Sequence, residues 1–298
     1  MYEDSPFQLS PYGSSLKEIF STGALVYLDT SSIHPPGQGL LSIFFQDGKI
    51  TIAGINYNSL IKHLNSLKEF ESFLNYDCSL VIPEVASEIS KLKNIFVKSY
   101  SRVMSNGSRG HTEKRRALKS IKMSLENIVE RTKSISVHIE DEHYFYLTDM
   151  INLISNNLKI SGLCSGGKDT DERVVAAAYY DSIYEQIPVN VISNDRDFGR
   201  IFLNTHLILS LESFAPFNTI FNISMRKFPI RLYSRGKLGF NIIYSSKGKI
   251  KPFKELIDYY ETKEFLEMKE ELMKKFRFIH DLSKIKNEGD GAYNKTIN

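Results

Sequence analysis

Carboxylates stand at four places in the chain where their neighbours would put them to use. Asp29 directly follows the apolar run 24–28, and Asp195 follows the apolar run 189–193 in the same way. Glu84 and Glu88 are four residues apart, hence on one face of any helix that holds them both. Asp169, Asp171 and Glu172 gather at the start of the alanine-rich segment 171–186. Each has an ordinary use: Asp29 or Asp171 as a helix cap, Glu84 and Glu88 as a solvated face, Asp195 and Asp197 as turn residues. Together they allow another. A residue at the carboxyl end of a parallel strand points into the crevice where α/β sheets bind ligands. Carboxylates brought together there repel unless a cation lies between them. Three or four Asp or Glu oxygens are the ligands that Mg²⁺ or Mn²⁺ takes. Zinc is not indicated, because the two cysteines, Cys78 and Cys164, show no CxxC or Cys/His spacing.

Elements must bring these groups together. Residues 24–28 predict a buried strand and residues 40–54 a hairpin around Asp47-Gly48. Apolar residues at helical spacing predict a helix over 58–74. A short strand follows at 79–82, and Pro83 suits the first turn of a helix that runs to about 105, where Asn106-Gly107 interrupts it. Further helices are expected over about 112–133, 141–156 and 171–186, with a loop at 161–167 and strands at 189–193 and 206–211. Short strands at 217–224, 229–234 and 239–245, a turn at Arg235-Gly236-Lys237 and a long helix from 252 to about 282 complete the reading. Alternating strands and helices make the class α/β, with a mainly parallel central sheet and helices on both faces. The expected division is a domain over 1–211 with a helical insertion at about 90–160, a basic hairpin and helix over 212–283, and a disordered polar tail over 284–298.

The charge is patterned. The 298 residues carry a net +3, but residues 101–137 hold nine Lys or Arg against three Asp or Glu, and 138–200 hold five against eleven. Blocks of opposite sign suggest an acidic working site beside basic surfaces. Residues 226–254 contain nine Lys or Arg and no acid, interleaved with aromatics such as Phe228, Tyr233 and Phe240. Cations follow a phosphate backbone and aromatic faces stack bases, so Arg226, Lys227, Arg231, Arg235 and Lys237 are candidates for holding nucleic acid. Arg109, Arg115 and Arg116 form a second such group. A charged hairpin and a solvated helix face are the plainer alternatives for the two. No apolar stretch is long enough to cross a bilayer, and the first ten residues are not a signal peptide. A reducing, cytoplasmic setting is expected.

The acidic segments resemble, in order, the motifs of the PIN-domain family of nucleases. Tyr27-Leu28-Asp29-Thr30-Ser31 is similar to the first, a strand ending in Asp and a small hydroxyl residue. The segment 81–89, with Glu84 and Glu88, is similar to the second. Asp171-Glu172-Arg173-Val174-Val175-Ala176 is similar to the third and Ser193-Asn194-Asp195-Arg196-Asp197 to the fourth. The resemblance spans about 24–211 and implies a PIN-like fold. It also implies a divalent-metal-dependent endoribonuclease whose acidic core is Asp29, Glu88, Asp171 and Asp195. Asp197 would join the metal ligands, with Glu84, Asp169, Thr30, Ser31 and Ser193 in supporting places. RNA, single-stranded or locally unpaired, is the implied partner, cut to leave 5′-phosphate and 3′-hydroxyl ends. The long insertion and the C-terminal extension depart from small members of the family and favour a larger processing enzyme. A structure-specific DNA nuclease and a non-catalytic RNA-binding scaffold remain as alternatives. A phosphatase with an aspartyl nucleophile is poorly matched, since Ser31 stands where such enzymes offer a second Asp.

Overall fold

The computed structural model describes residues 16–21, 23–44, 51–105, 110–165, 169–211, 217–236, 239–245, 259 and 262–285. Its centre is made by two short apolar runs. β1 (Leu25–Leu28) and β3 (Val189–Ile192) lie parallel, with Leu28 opposite Ile192. β2 (Ser79–Leu80) flanks β1, and β4 (Ile230–Gly236) flanks β3, both parallel. β5 (Gly239–Ser245) adds antiparallel to β4, so the order is β2-β1-β3-β4-β5. Val26, Leu28, Val191 and Ile192 expose nothing to solvent. Strands covered on both faces are mostly apolar; the exception is Asn190 in β3, whose buried Nδ2 donates to Ile19 O at 2.8 Å.

Helices α1 (Leu16–Phe20), α2 (Tyr57–Phe73), α3 (Pro83–Ser105) and α4 (Thr112–Ser134) precede the second half of the molecule. That half holds α5 (Glu142–Ile160), α6 (Thr170–Ile183), α7 (Arg196–Ser210), α8 (Phe217–Lys227) and α9 (Lys263–Ile285). α4 packs against α2 and α3, α5 packs against α6 and α9, and α6 also packs against α7, α8 and β3. Residues 174–183 of α6 are buried on every side, which is why a run of three alanines sits there and why the helix lacks a polar face. From β1 the chain crosses outward to β2. It then returns past β1 to β3 and continues to β4. Right-handed crossovers therefore change faces between β1 and β3. At such a switch point the loops leave the two strands in opposite directions and open a crevice at their carboxyl ends.

The α/β class and the parallel sheet match the expectation; several elements do not. The third strand expected at 206–211 is the end of α7, and the strand expected at 217–224 is α8. The two misreadings have different causes. α7 buries Phe198, Ile201, Phe202, Thr205, Ile208 and Leu209, and so many covered positions blur the helical period into what resembles a strand run. In α8, the spacing of buried Asn218, Phe221 and Met225 is helical, and the β-preferring side chains Ile220 and Ile223 face outward. Residues 40–44 of the expected hairpin form a 3-10 turn, Leu40–Phe44, and 45–50 lie outside the described residues. β4 is no appendage: it is the fourth parallel strand, so a boundary at 211 would cut the sheet. On α9, Phe265, Met268 and Leu272 are buried and Leu266 is 52% exposed. Residues 252–258, 260 and 261 of the expected helix, the loop positions 106–109 and 166–168, and residues 286–298 of the expected tail lie outside the described residues, while 284 and 285 belong to α9.

One brace ties the carboxyl end of β4 to the loop after β1. Arg235 donates from Nη1 to His34 O at 3.3 Å and to Ser66 Oγ at 2.7 Å, and pairs through Nη2 with Glu69 at 2.7 Å. Its backbone N–H donates to Asn194 Oδ1 at 2.9 Å, and Asn194 Nδ2 reaches His34 O at 3.2 Å. Removal of Arg235 strands a carboxylate and several acceptors in a largely dry place. Arg235→Ala is expected to lower unfolding free energy by about 2–3 kcal/mol. Lys227→Ala, at an exposed helix end, should stay within about 0.5 kcal/mol. Urea denaturation of the two variants checks this.

Candidate active site

The register of β1 and β3 sets the geometry. Because Leu28 faces Ile192, the next residues, Asp29 and Ser193, leave the sheet side by side. Asp29 N donates to Ile192 O at 3.1 Å, and Ser193 Oγ donates to Asp29 Oδ2 at 2.8 Å. Ser31 donates to the same oxygen from its hydroxyl and, at 3.2 Å, from its backbone, so Asp29 caps the 3-10 turn Thr30–Ile33. All three bonds fall on Oδ2 and leave the other oxygen out of them. The backbone N–H of Asn194 donates to Ser31 Oγ at 2.8 Å, locking the two loops together. Asp195 caps α7 through Asp197 N at 2.8 Å and stays exposed.

Glu88 arrives from α3. Its two oxygens accept from Thr30 Oγ1 and Thr170 Oγ1, each at 2.9 Å. Thr30 follows β1 and Thr170 opens α6, so these hydroxyls hold the glutamate between two elements. Asp171 lies in the first turn of α6, next to Thr170. Burial pushes its carboxyl up to about 9, and the charges of Asp29, Asp195, Glu172 and Glu88 add to the rise. Asp29 is also raised, first by burial and further by Asp195, against the pull of the Ser31 and Ser193 hydroxyls. Asp29, Glu88, Asp171 and Asp195, from four separate segments, thus share one electrostatic environment at the switch point.

Other acidic candidates are committed elsewhere. Asp197 accepts from Ser165 N at 2.8 Å and pairs with Arg200 at 3.3 Å, fastening the loop after α5. Glu84 pairs with Arg173 at 3.0 Å. Asp169 is exposed at the cap of α6 and makes no capping bond. Glu172 turns away from the crevice into a buried pair with Lys159 at 3.0 Å, with Ser155 donating to the same oxygen. Thr170 and Asn194 were not expected. A hydroxyl beside Asp171, matching Thr30 beside Asp29, was the signal for Thr170; Asn194 looked like any turn residue.

Three of the basic candidates lie apart from the crevice. Arg226 and Lys227 end α8 just before β4 begins, and Arg231 pairs in register with Asn190 near the start of β3. These strands are parallel, so all three residues stand toward the amino edge of the sheet, opposite the carboxylates. Arg235 is at the correct edge but serves as the brace described above. Arg115 donates to Gly110 O at 3.3 Å at the start of α4, and Arg116 is exposed there. Arg109 and Lys237 lie outside the described residues.

The donor chemistry fits a hard divalent cation, since all the oxygens are carboxylate and the mutual repulsion is what a cation relieves. Electrostatic coupling reaches farther than a metal–oxygen bond, however. Among the described residues no three His, Cys, Asp or Glu side chains are grouped closely enough to hold an ion as they stand. The carboxylates therefore share a crevice without forming a ready coordination shell. Comparison with family models, with curated proteins and with solved structures finds no match to the chain. No helix among the described residues is long and apolar enough to cross a membrane.

Asp171 yields a pH test. Its folded-state value, about 9, lies above that of an unfolded aspartate, so the native state holds a proton that the unfolded state releases. Its contribution to stability is full in acid and is lost as pH rises toward about 9. Asn mimics the protonated carboxyl at every pH. In metal-free buffer, Asp171→Asn should gain thermal stability over the natural chain progressively between about pH 5 and about pH 9. Melting curves that stay parallel across this range would show that Asp171 is not held protonated.

Proposed function

We propose that this chain is a divalent-metal-dependent endoribonuclease with a PIN-like domain. One observation carries the reading: Asp29, Glu88, Asp171 and Asp195 meet electrostatically at the sheet's switch point, with the Asp171 carboxyl raised first by burial and then by the other three and Glu172. Burial of like charges is costly, and a site that keeps them together in the native fold has a use for a cation. Mg²⁺ or Mn²⁺ would have to draw these side chains closer than they stand, and would supply charge neutralisation of the phosphate and activation of water. The chain's own residues supply the rest. Ser31 and Ser193 fix one oxygen of Asp29 and so orient the other. Thr30 and Thr170 fix Glu88. Hydrolysis adds water oxygen to phosphorus and breaks the bond to the 3′ oxygen, leaving a 5′-phosphate and a 3′-hydroxyl. The choice of RNA over DNA rests on the family resemblance.

A non-catalytic RNA-binding scaffold is the competing reading, favoured by the capping bonds of Asp29 and Asp195. Asn caps as well as Asp does, and the two readings separate there. Asp29→Asn and Asp195→Asn should each reduce Mn²⁺-dependent cleavage of single-stranded RNA by more than about 100-fold, since even the outer partners of a catalytic metal are worth about 10–100-fold. The natural chain should melt higher with added Mn²⁺, by ligand linkage, and the variants should not. Cleavage that survives both substitutions, or survives EDTA, would remove the metal nuclease reading.

A further inference from the structure

α3 begins beside the acidic crevice and carries a row of cations away from it. We infer that the exposed flank of α3 formed by Lys91, Ile95, Lys98 and Arg102 is the track along which a single-stranded RNA backbone leaves the site. This deepens the nuclease reading and rests on it. At 100° per residue, these four positions share an arc of about 80° with Glu84 and Glu88. The buried positions Val85, Ile89, Phe96, Ser99 and Val103 occupy the neighbouring arc, centred about 100° around the helix from this flank. Glu88, fixed by Thr30 and Thr170, points this flank toward the crevice at its amino-terminal end. At a rise of about 1.5 Å per residue, Lys98 lies about 15 Å and Arg102 about 21 Å along the helix from Glu88.

The charge on this flank is of one sign. Between residues 89 and 112 the chain contains no Asp or Glu at all. Lys91, Lys98 and Arg102 are exposed and make no ion pair among the described residues. Some other cations are engaged: Lys122 pairs with Glu126 and lies over the Tyr100 ring, Lys159 is bound to Glu172, Arg173 to Glu84 and Arg235 to Glu69. Ile95, 46% exposed, lies between Lys91 and Lys98 and offers apolar contact to a base. A row of unpaired cations beginning one turn beyond an acidic site neutralises a polyanion where the carboxylates would repel it. One helix flank follows one strand, so a single-stranded partner fits it better than a duplex.

Binding of a fluorescent, uncleaved single-stranded RNA in EDTA tests the track without catalysis. The full chain is compared with the triple variant Lys91→Gln, Lys98→Gln, Arg102→Gln and with the amino-edge triple Arg226→Gln, Lys227→Gln, Arg231→Gln. Each phosphate contact in a single strand contributes about 0.7 to the slope of log affinity against log salt. The α3 variant should therefore lose about 2 from that slope, and the amino-edge variant should keep the natural slope. A purely structural role for Arg102 at its helix end would lower the melting temperature and leave the slope unchanged, which would overturn the inference. An unchanged slope in an α3 variant whose parent still cuts RNA overturns the track and spares the nuclease. Loss of slope in a chain that cuts no RNA with any metal does the reverse. A natural chain that binds no RNA at low salt overturns both.

Discussion

The parallel ladder between β1 and β3 is the contact on which the rest of the structure depends. It joins segments more than 160 residues apart, and its register, Leu28 opposite Ile192, decides that Asp29 and Ser193 emerge together. A shift by one residue would turn Asp29 toward the opposite face of the sheet. Burial of the ladder, partial only at Leu25, stabilises that register, because slipping would expose apolar side chains and strand polar ones inside. The crossing of the chain from β2 past β1 to β3 then opens the crevice at the aligned strand ends.

Desolvation and repulsion act against this arrangement, and the protein offsets them locally. Hydroxyls stabilise Asp29 and Glu88, and the two aspartates at the strand ends cap the helical turns that follow them. Burial and the neighbouring carboxylates push the Asp171 carboxyl up to about 9. Sites that need such a grouping are less stable than they could be, and the surroundings compensate. Here the compensation is visible in Arg235 and Asn194, which tie β4, the loop after β3 and the loop after β1 into one corner.

Basic residues divide by position more than by number. The densest cluster in the chain, 226–254, includes Arg226, Lys227 and Arg231 at the amino edge of the sheet and Arg235 in a load between loops. Lys91 and Lys98 attracted no notice in the sequence, yet they share a helix flank with Glu88. Density along the chain measures local charge; a partner feels charge around a site, and only the fold relates the two.

Local rules acting on the sequence determined much. Pro83 marks the start of α3, helical spacing reveals α2 and α4, the alanine-rich run reveals α6, and the mainly apolar runs reveal β1 and β3. The acid at the end of each central strand was legible for the same reason, since an apolar run that stops at Asp is a local signal. Residues whose period is blurred by burial on all sides, as in α7, or by β-preferring side chains, as in α8, were not legible, because such patterns fit two structures until neighbours choose. Tertiary structure alone decided the partners: Thr170 for Glu88, Arg173 for Glu84, Ser165 for Asp197, and Glu69 for Arg235. Those pairings depend on contacts between elements distant in the chain, and a side chain's commitment to one partner over another is a property of the space around it rather than of the residues beside it.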